Sequence, residues 1–129
     1  MLAELEIHAT IPASDLARAR KFYQEKLGLS PAEEAPGGAG LIYRCYNSWF
    51  LLYPSPHAGT ASHTQMGWET DDIEQEVAAL KARGVVFEEY DTPNLKTVAG
   101  IATAGPIRAA WFKDSEGNLL GLVQVESAS

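Results

Sequence analysis

The chain has 129 residues, enough for one ordinary domain and too few for two independent ones. Its 17 acidic residues outnumber 10 basic ones for a formal net charge of −7; the basic residues are scattered apart from Arg18, Arg20 and Lys21, which argues against nucleic acid, because neutralising phosphates takes clustered Lys and Arg. The hydrophobic fraction of 46% is ordinary for a soluble globular protein, no apolar run approaches the ~20 residues of a membrane helix, and the N-terminus shows neither a basic n-region nor an apolar h-region, so the expectation is a cytoplasmic protein that makes no membrane contact.

Residues Glu4–Ile11 alternate, with Leu5, Ile7, Ala9 and Ile11 on one side and Glu4, Glu6, His8 and Thr10 on the other. Period two predicts a strand with one apolar face. Ser14 or Asp15 can cap a helix running to about Leu27, on which Leu16, Ala19, Tyr23 and Leu27 form one stripe widened by Phe22. Gly28 occupies the left-handed position after the helix. Short strands are expected around Ala32–Ala35, Leu41–Tyr46 and Trp49–Tyr53, with a turn at Gly37–Gly40. The single cysteine, Cys45, lies in an apolar strand run; it allows no intramolecular disulfide and reads as an inert buried thiol rather than a nucleophile.

Pro54–Ser62 reads as a connection between halves. A second strand, Thr64–Thr70, leads to a helix capped at Asp71, with Glu74 in capping-box position and Ile73, Val77 and Leu80 as its buried stripe. Gly84 closes that helix and Val85–Tyr90 is expected as a strand. Asp91–Pro106, with Pro93, Gly100, Gly105 and Pro106, reads as a mobile flap or a crossover. Ala110–Gln124 is a hairpin around the polar turn Asp114-Ser115-Glu116-Gly117-Asn118, and Ser127–Ser129 are expected to fray.

The chain is written twice. His8 matches Gln65, Asp15 matches Asp72 and Leu16 matches Ile73 at a spacing of 57; Trp49 matches Leu119 and Leu51 matches Gly121 at a spacing of 70. Each half therefore reads β-α-β-β-β, module one over about 1–55 and module two over about 63–126. The fold class is α+β: one domain over 1–129, in which two βαβββ modules curl into a half-barrel with a shared concave cleft.

The repeat, the opening His8-Ala-Thr-Ile-Pro-Ala-Ser-Asp-Leu with Phe22-Tyr23 and Leu27-Gly28-Leu29, the segment Glu69-Thr-Asp-Asp-Ile and the closing Trp111-Phe-Lys-Asp-Ser-Glu-Gly-Asn together resemble the vicinal oxygen chelate superfamily. That group holds glyoxalase I, extradiol dioxygenases, bleomycin and fosfomycin resistance proteins and methylmalonyl-CoA epimerase. The resemblance covers nearly the whole chain. It implies four cleft positions, two per module, that carry His, Glu or Gln ligands in metal-dependent members. Those positions fall here on His8, Gln65, Leu51 (or Leu52 in a slipped register) and Gly121. Leucine and glycine offer a divalent ion no side-chain donor, so the sequence implies no metal cofactor, with a weak solvated site on His8 and Gln65 as the alternative.

His8 faces away from the helix and reads either as residual ligand or general base, or as a hydrogen-bonded histidine lining a vestigial site. Glu69, on the strand face of Gln65 and Gly67, is a candidate base or a solvated carboxylate; Glu6 is similar. His8 and Glu69 are thus the candidate catalytic residues. Trp49, Leu51 and Tyr53, with Gln65, Trp111 and Gly121, are the candidate ligand-binding residues, an apolar wall suited to a flat organic molecule; ordinary core packing explains any one of the aromatics equally. His57 and His63 are expected to be exposed. No Ser-His-Asp order, nucleophile elbow, Walker loop or dinucleotide fingerprint appears. The expected function is a metal-free small-molecule binding protein of this superfamily, acting on a small aromatic or apolar compound as a homodimer. The alternative is a metal-dependent lyase, isomerase or dioxygenase with a rearranged site, and a third reading uses Glu69 or His8 as a base without metal.

Overall fold

Asp15 starts the first helix, its carboxylate accepting the Arg18 backbone N–H at 3.0 Å. The computed structural model describes residues 1–126, so the fraying expected at Ser127–Ser129 lies outside the described residues. Helix α1, Leu16–Lys26, follows strand β1, Ala9–Ala13, and buries Ala19 and Tyr23. Strands β2 (Glu33–Ala35), β3 (Gly40–Cys45) and β4 (Ser48–Pro54) complete a sheet ordered β1-β4-β3-β2. The α1 crossover lets β1 lie parallel to β4.

The second half repeats this around β5 (Met66–Glu69) and α2 (Ile73–Ala82), and then departs from it. Residues 91–106 are neither flap nor crossover. They form a meander of β6 (Asp91–Thr92), β7 (Leu95–Val98) and β8 (Ile101–Ala104), which extends the sheet of β9 (Ile107–Lys113) and β10 (Leu119–Val125) to six strands, β5-β10-β9-β8-β7-β6. The strand expected at Val85–Tyr90 shrinks to a single bridge between Phe87 and Phe112 with Glu88 N–H donating to Trp111 O. Strand β8 already pairs with β9 from Ile107 to Ala110; only the far end of that edge is left for residues 87 and 88. The β7–β8 turn places Ala99 at φ +53° and Gly100 at φ +85°, the two positive values that a two-residue primed turn needs. An alanine in the first of them hides the hairpin from sequence.

The repeat register holds. Ala9 pairs with Phe50 and Met66 with Leu120, and Thr10 with Leu51 as Gly67 with Gly121, so the offsets of 57 and 70 residues place the same positions side by side in both modules.

The first strand begins at Ala9 rather than Glu4. Strand β4 supplies ladder partners only from Ala9 onward, and an alternating pattern without a neighbouring strand builds no strand. Leu2–Glu4 form a single 3₁₀ turn, and Leu5 and Ile7, expected in the core, are 65% and 87% exposed. Helix α2 is capped by Asp72, whose carboxylate accepts Gln75 N–H at 3.1 Å, not by Asp71. Glu74 makes no capping box; it reaches Arg108 at 2.7 Å. Cys45 is half-buried rather than buried.

One buried cluster contains residues of both sheets. Its aromatics form a series from Tyr43 to Phe50 (4.9 Å, stacked), Trp68 (6.5 Å), Phe112 (6.4 Å) and Phe87 (5.5 Å) that crosses between the modules. The polar turn 114–118 fastens them together. Asp114, buried, accepts hydrogen bonds from Tyr23 OH, from Asn118 Nδ2 and from the backbone N–H groups of Glu116 and Asn118, and Asn118 Nδ2 also donates to Pro12 O at 2.8 Å.

Candidate functional site

Alternation along β4 puts Phe50 and Leu52 in the shared core and Trp49, Leu51 and Tyr53 on the opposite face, where they are half-buried. In the second sheet Ala110, Phe112, Leu120 and Leu122 fill the core while Trp111 and Gly121 take the other face.

The structure gathers the candidate residues into two groups. The first surrounds a cleft of about 950 Å³ between the end of the β3–β4 hairpin and strand β5. Trp49 and Glu69 both line it, with Phe50, Met66, Trp68 and Asp71. Among the described residues its walls hold two carboxylates, Glu69 and Asp71, and no Lys, Arg or His. His8 stacks flat on the Trp49 ring, with centroids 3.8 Å apart and planes 13° from parallel, and Trp49 Nε1 donates to Glu6 at 3.0 Å. The chain start thus clamps the indole at the cleft mouth. His8 is exposed and makes no side-chain hydrogen bond among the described residues, so neither a hydrogen-bonded histidine nor a His8–Glu69 pair is formed.

The second group lies around Gly121. A Cβ there would stand 3.3 Å from Trp111 Cδ1 and 3.4 Å from Ala110 O, so the Trp111 indole covers the glycine. Tyr90 meets Trp111 edge-on at 5.7 Å; burial and then the neighbouring Glu88 push its phenol pKa up. Gln65, whose backbone N–H donates to Leu119 O on the neighbouring strand, has its Oε1 buried without a hydrogen-bond partner among the described residues. Leu51, Tyr53, Gln65, Trp111 and Gly121 are absent from the walls of the large cleft. His57 and His63 are exposed.

The donor set does not fit a metal ion. Of the four positions where metal-dependent relatives carry ligands, Leu51 and Gly121 have no side-chain donor atom, which leaves the His8 imidazole and one neutral oxygen of Gln65. Among the described residues no three His, Cys, Asp or Glu side chains cluster closely enough to hold an ion.

Sequence reasoning missed Trp68 and Asp71. Trp68 falls on the core side by alternation, but β5 is an edge strand, and at an edge a core-side ring also faces the gap between the sheets. Asp71 was read only as a helix cap.

Among the described residues no helix is long and apolar enough to cross a membrane. The sequence profile of the Glyoxalase/Bleomycin resistance protein/Dioxygenase superfamily matches residues 7–122. No curated protein matches the chain in sequence at a significant level. Among solved structures the chain is similar to TnmS3, an antibiotic binding protein from Streptomyces sp. CB03234, at 26% identity, TM-score 0.68, covering 98% of this chain and 99% of that one. It shares its fold with UcmS2 (19% identity, TM-score 0.72, covering 92% and 96%) and with a glyoxalase family protein from Bacillus anthracis (15%, TM-score 0.73, covering 95% and 96%).

Proposed function

This chain belongs to the Glyoxalase/Bleomycin resistance protein/Dioxygenase superfamily, and from that premise we propose that it binds a small aromatic or apolar molecule, without a metal, in the cleft between Trp49 and Glu69. The observation that carries this is the composition of that cleft: Trp49, Trp68, Phe50 and Met66 offer flat and polarisable surface, and among the described residues the charges on the walls are the carboxylates of Glu69 and Asp71. Such a site favours a planar ligand that is neutral or carries a cationic group, since a cation is attracted both by aromatic faces and by carboxylates. The similarity to an antibiotic binding protein supports the same reading.

Binding is tested by titrating a planar aromatic cation such as proflavine while following tryptophan emission. Quenching that saturates, persists in chelator and falls away in Trp49→Ala supports the proposal.

A second reading is suggested by the place of Glu69, an exposed carboxylate on the cleft wall: a metal-free enzyme that uses Glu69, or His8 on the far side of Trp49, as a base. Turnover that survives chelator and is lost in Glu69→Gln or His8→Ala would select it. A metal-dependent lyase, isomerase or dioxygenase would have only His8 and Gln65 to draw on among the four ligand positions.

The proposal includes a cytoplasmic homodimer. Its support is the chain start, where Leu2 is 81% exposed and Ile7 87%; a second copy covering them would remove apolar surface from water.

A further inference from the structure

A second concavity, of about 570 Å³, lies on the far side of module two, between α2 and the β7–β8 hairpin. We propose that it is a separate binding site for a small amphipathic anion, a carboxylate carried on an apolar body. Its floor is apolar: Val77 of α2 is buried, Ile101 half-buried and Val98 72% exposed. Around that floor stand three cations, Lys81, Lys96 and Arg108. Arg108 is engaged by Glu74, the one carboxylate of the lining, at 2.7 Å. Lys81 Nζ donates to Ala99 O at 3.0 Å, which uses one of its three N–H groups. Lys96 makes no ion pair among the described residues.

Three of the ten basic residues of a chain with net charge −7 therefore converge on one apolar groove. They are far apart in sequence, and the meander β6–β8 brings them together. The charge sign selects the occupant: among the described residues the Trp49 cleft has carboxylates and no cation, and this groove has a surplus of cations over an exposed valine. An apolar body would cover Val98 and Ile101 while its head group takes the free N–H donors of Lys81 and Lys96. The groove is formed in advance, because the Lys81–Ala99 hydrogen bond ties the hairpin tip to α2.

The experiment is a methyl-resolved NMR titration of the full chain with sodium decanoate below its micelle concentration, alongside acetate and decyltrimethylammonium. The expected result is saturable shifts at Val77, Val98 and Ile101 with decanoate alone, and about a tenfold loss of affinity in Lys96→Glu with an unchanged apo spectrum elsewhere. Equal shifts with decyltrimethylammonium, or undiminished affinity in Lys96→Glu, would overturn the proposal. So would shifts at the same methyls that follow protein concentration without decanoate and vanish when residues 1–7 are removed, since the groove is then a contact between copies.

Discussion

Arg18 on α1 grips Glu116 in the β9–β10 turn at two points, Nε to Oε2 at 2.8 Å and Nη2 to Oε1 at 3.0 Å, across 98 residues of chain. The Asp15 backbone N–H and Ser14 Oγ donate to the same carboxylate, whose side chain is fully shielded from solvent while Arg18 remains half exposed. The turn that ends the second module is therefore seated on the N-terminal turn of the helix that begins the first, where a negative charge is favoured.

Replacing Glu116 with Gln removes the charge and leaves the shape. We expect a loss of about 2 kcal/mol, near the cost of unpairing a buried, hydrogen-bonded carboxylate and discounted because Arg18 is partly in water. Equilibrium urea unfolding of the two proteins at pH 7 checks it.

The same site sets the acid limit. Burial alone would raise the Glu116 carboxyl; hydrogen bonds from Arg18, the Asp15 N–H, Ser115 and Ser14 outweigh it and hold it down at about 2, against an ordinary 4.5. A depressed folded-state value means the contribution is complete above pH ~4.5 and is lost as pH falls toward 2. Stability should fall over that window in the parent and fall less steeply in Glu116→Gln, as read from unfolding curves at pH 6, 4 and 3.

Tyr23 and Tyr43 lie 5.6 Å apart in the core and should answer mutation oppositely. Tyr23 OH donates to buried Asp114 at 2.8 Å, so Tyr23→Phe leaves that carboxylate short of a partner at a cost of roughly 1–3 kcal/mol. Tyr43 OH is buried with no hydrogen-bond partner among the described residues, and burial pushes its pKa up to about 12. Tyr43→Phe is expected to be neutral or stabilising by up to about 1 kcal/mol. Thermal unfolding of the pair gives the comparison directly.

Gly121→Glu places a carboxylate at a position where metal-dependent relatives carry a ligand. Here it must displace the Trp111 indole, 3.3 Å from where its Cβ would sit. The expected outcome is a protein destabilised by about 1–3 kcal/mol, as read from urea unfolding beside the parent.

The fold was legible because its signals were local and repeated. The 57- and 70-residue offsets, the Asp15 cap and the Gly28 stop at φ +71° each follow from side-chain chemistry and reappear in the backbone. What stayed hidden depended on neighbours. Alternation over Glu4–His8 is a strand pattern that lacks a partner strand, and Ala99-Gly100 is a primed turn without its usual Asn or Gly in first place. The polar turn 114–118 announced a hairpin, but nothing local announces that its carboxylates reach Tyr23 and Arg18 near the other end of the chain. The cleft was half legible: Trp49 and Glu69 were singled out by strand face, whereas Trp68 and Asp71 needed the edge position of β5.

The most direct test of metal-free binding between Trp49 and Glu69 is a tryptophan-emission titration with proflavine, run in EDTA and again in excess zinc. The account predicts the same affinity in both, lowered at least tenfold in Trp49→Ala and weakened in Glu69→Gln, with folding unchanged in each. Binding that appears only with zinc, or that Trp49→Ala leaves intact, would contradict it.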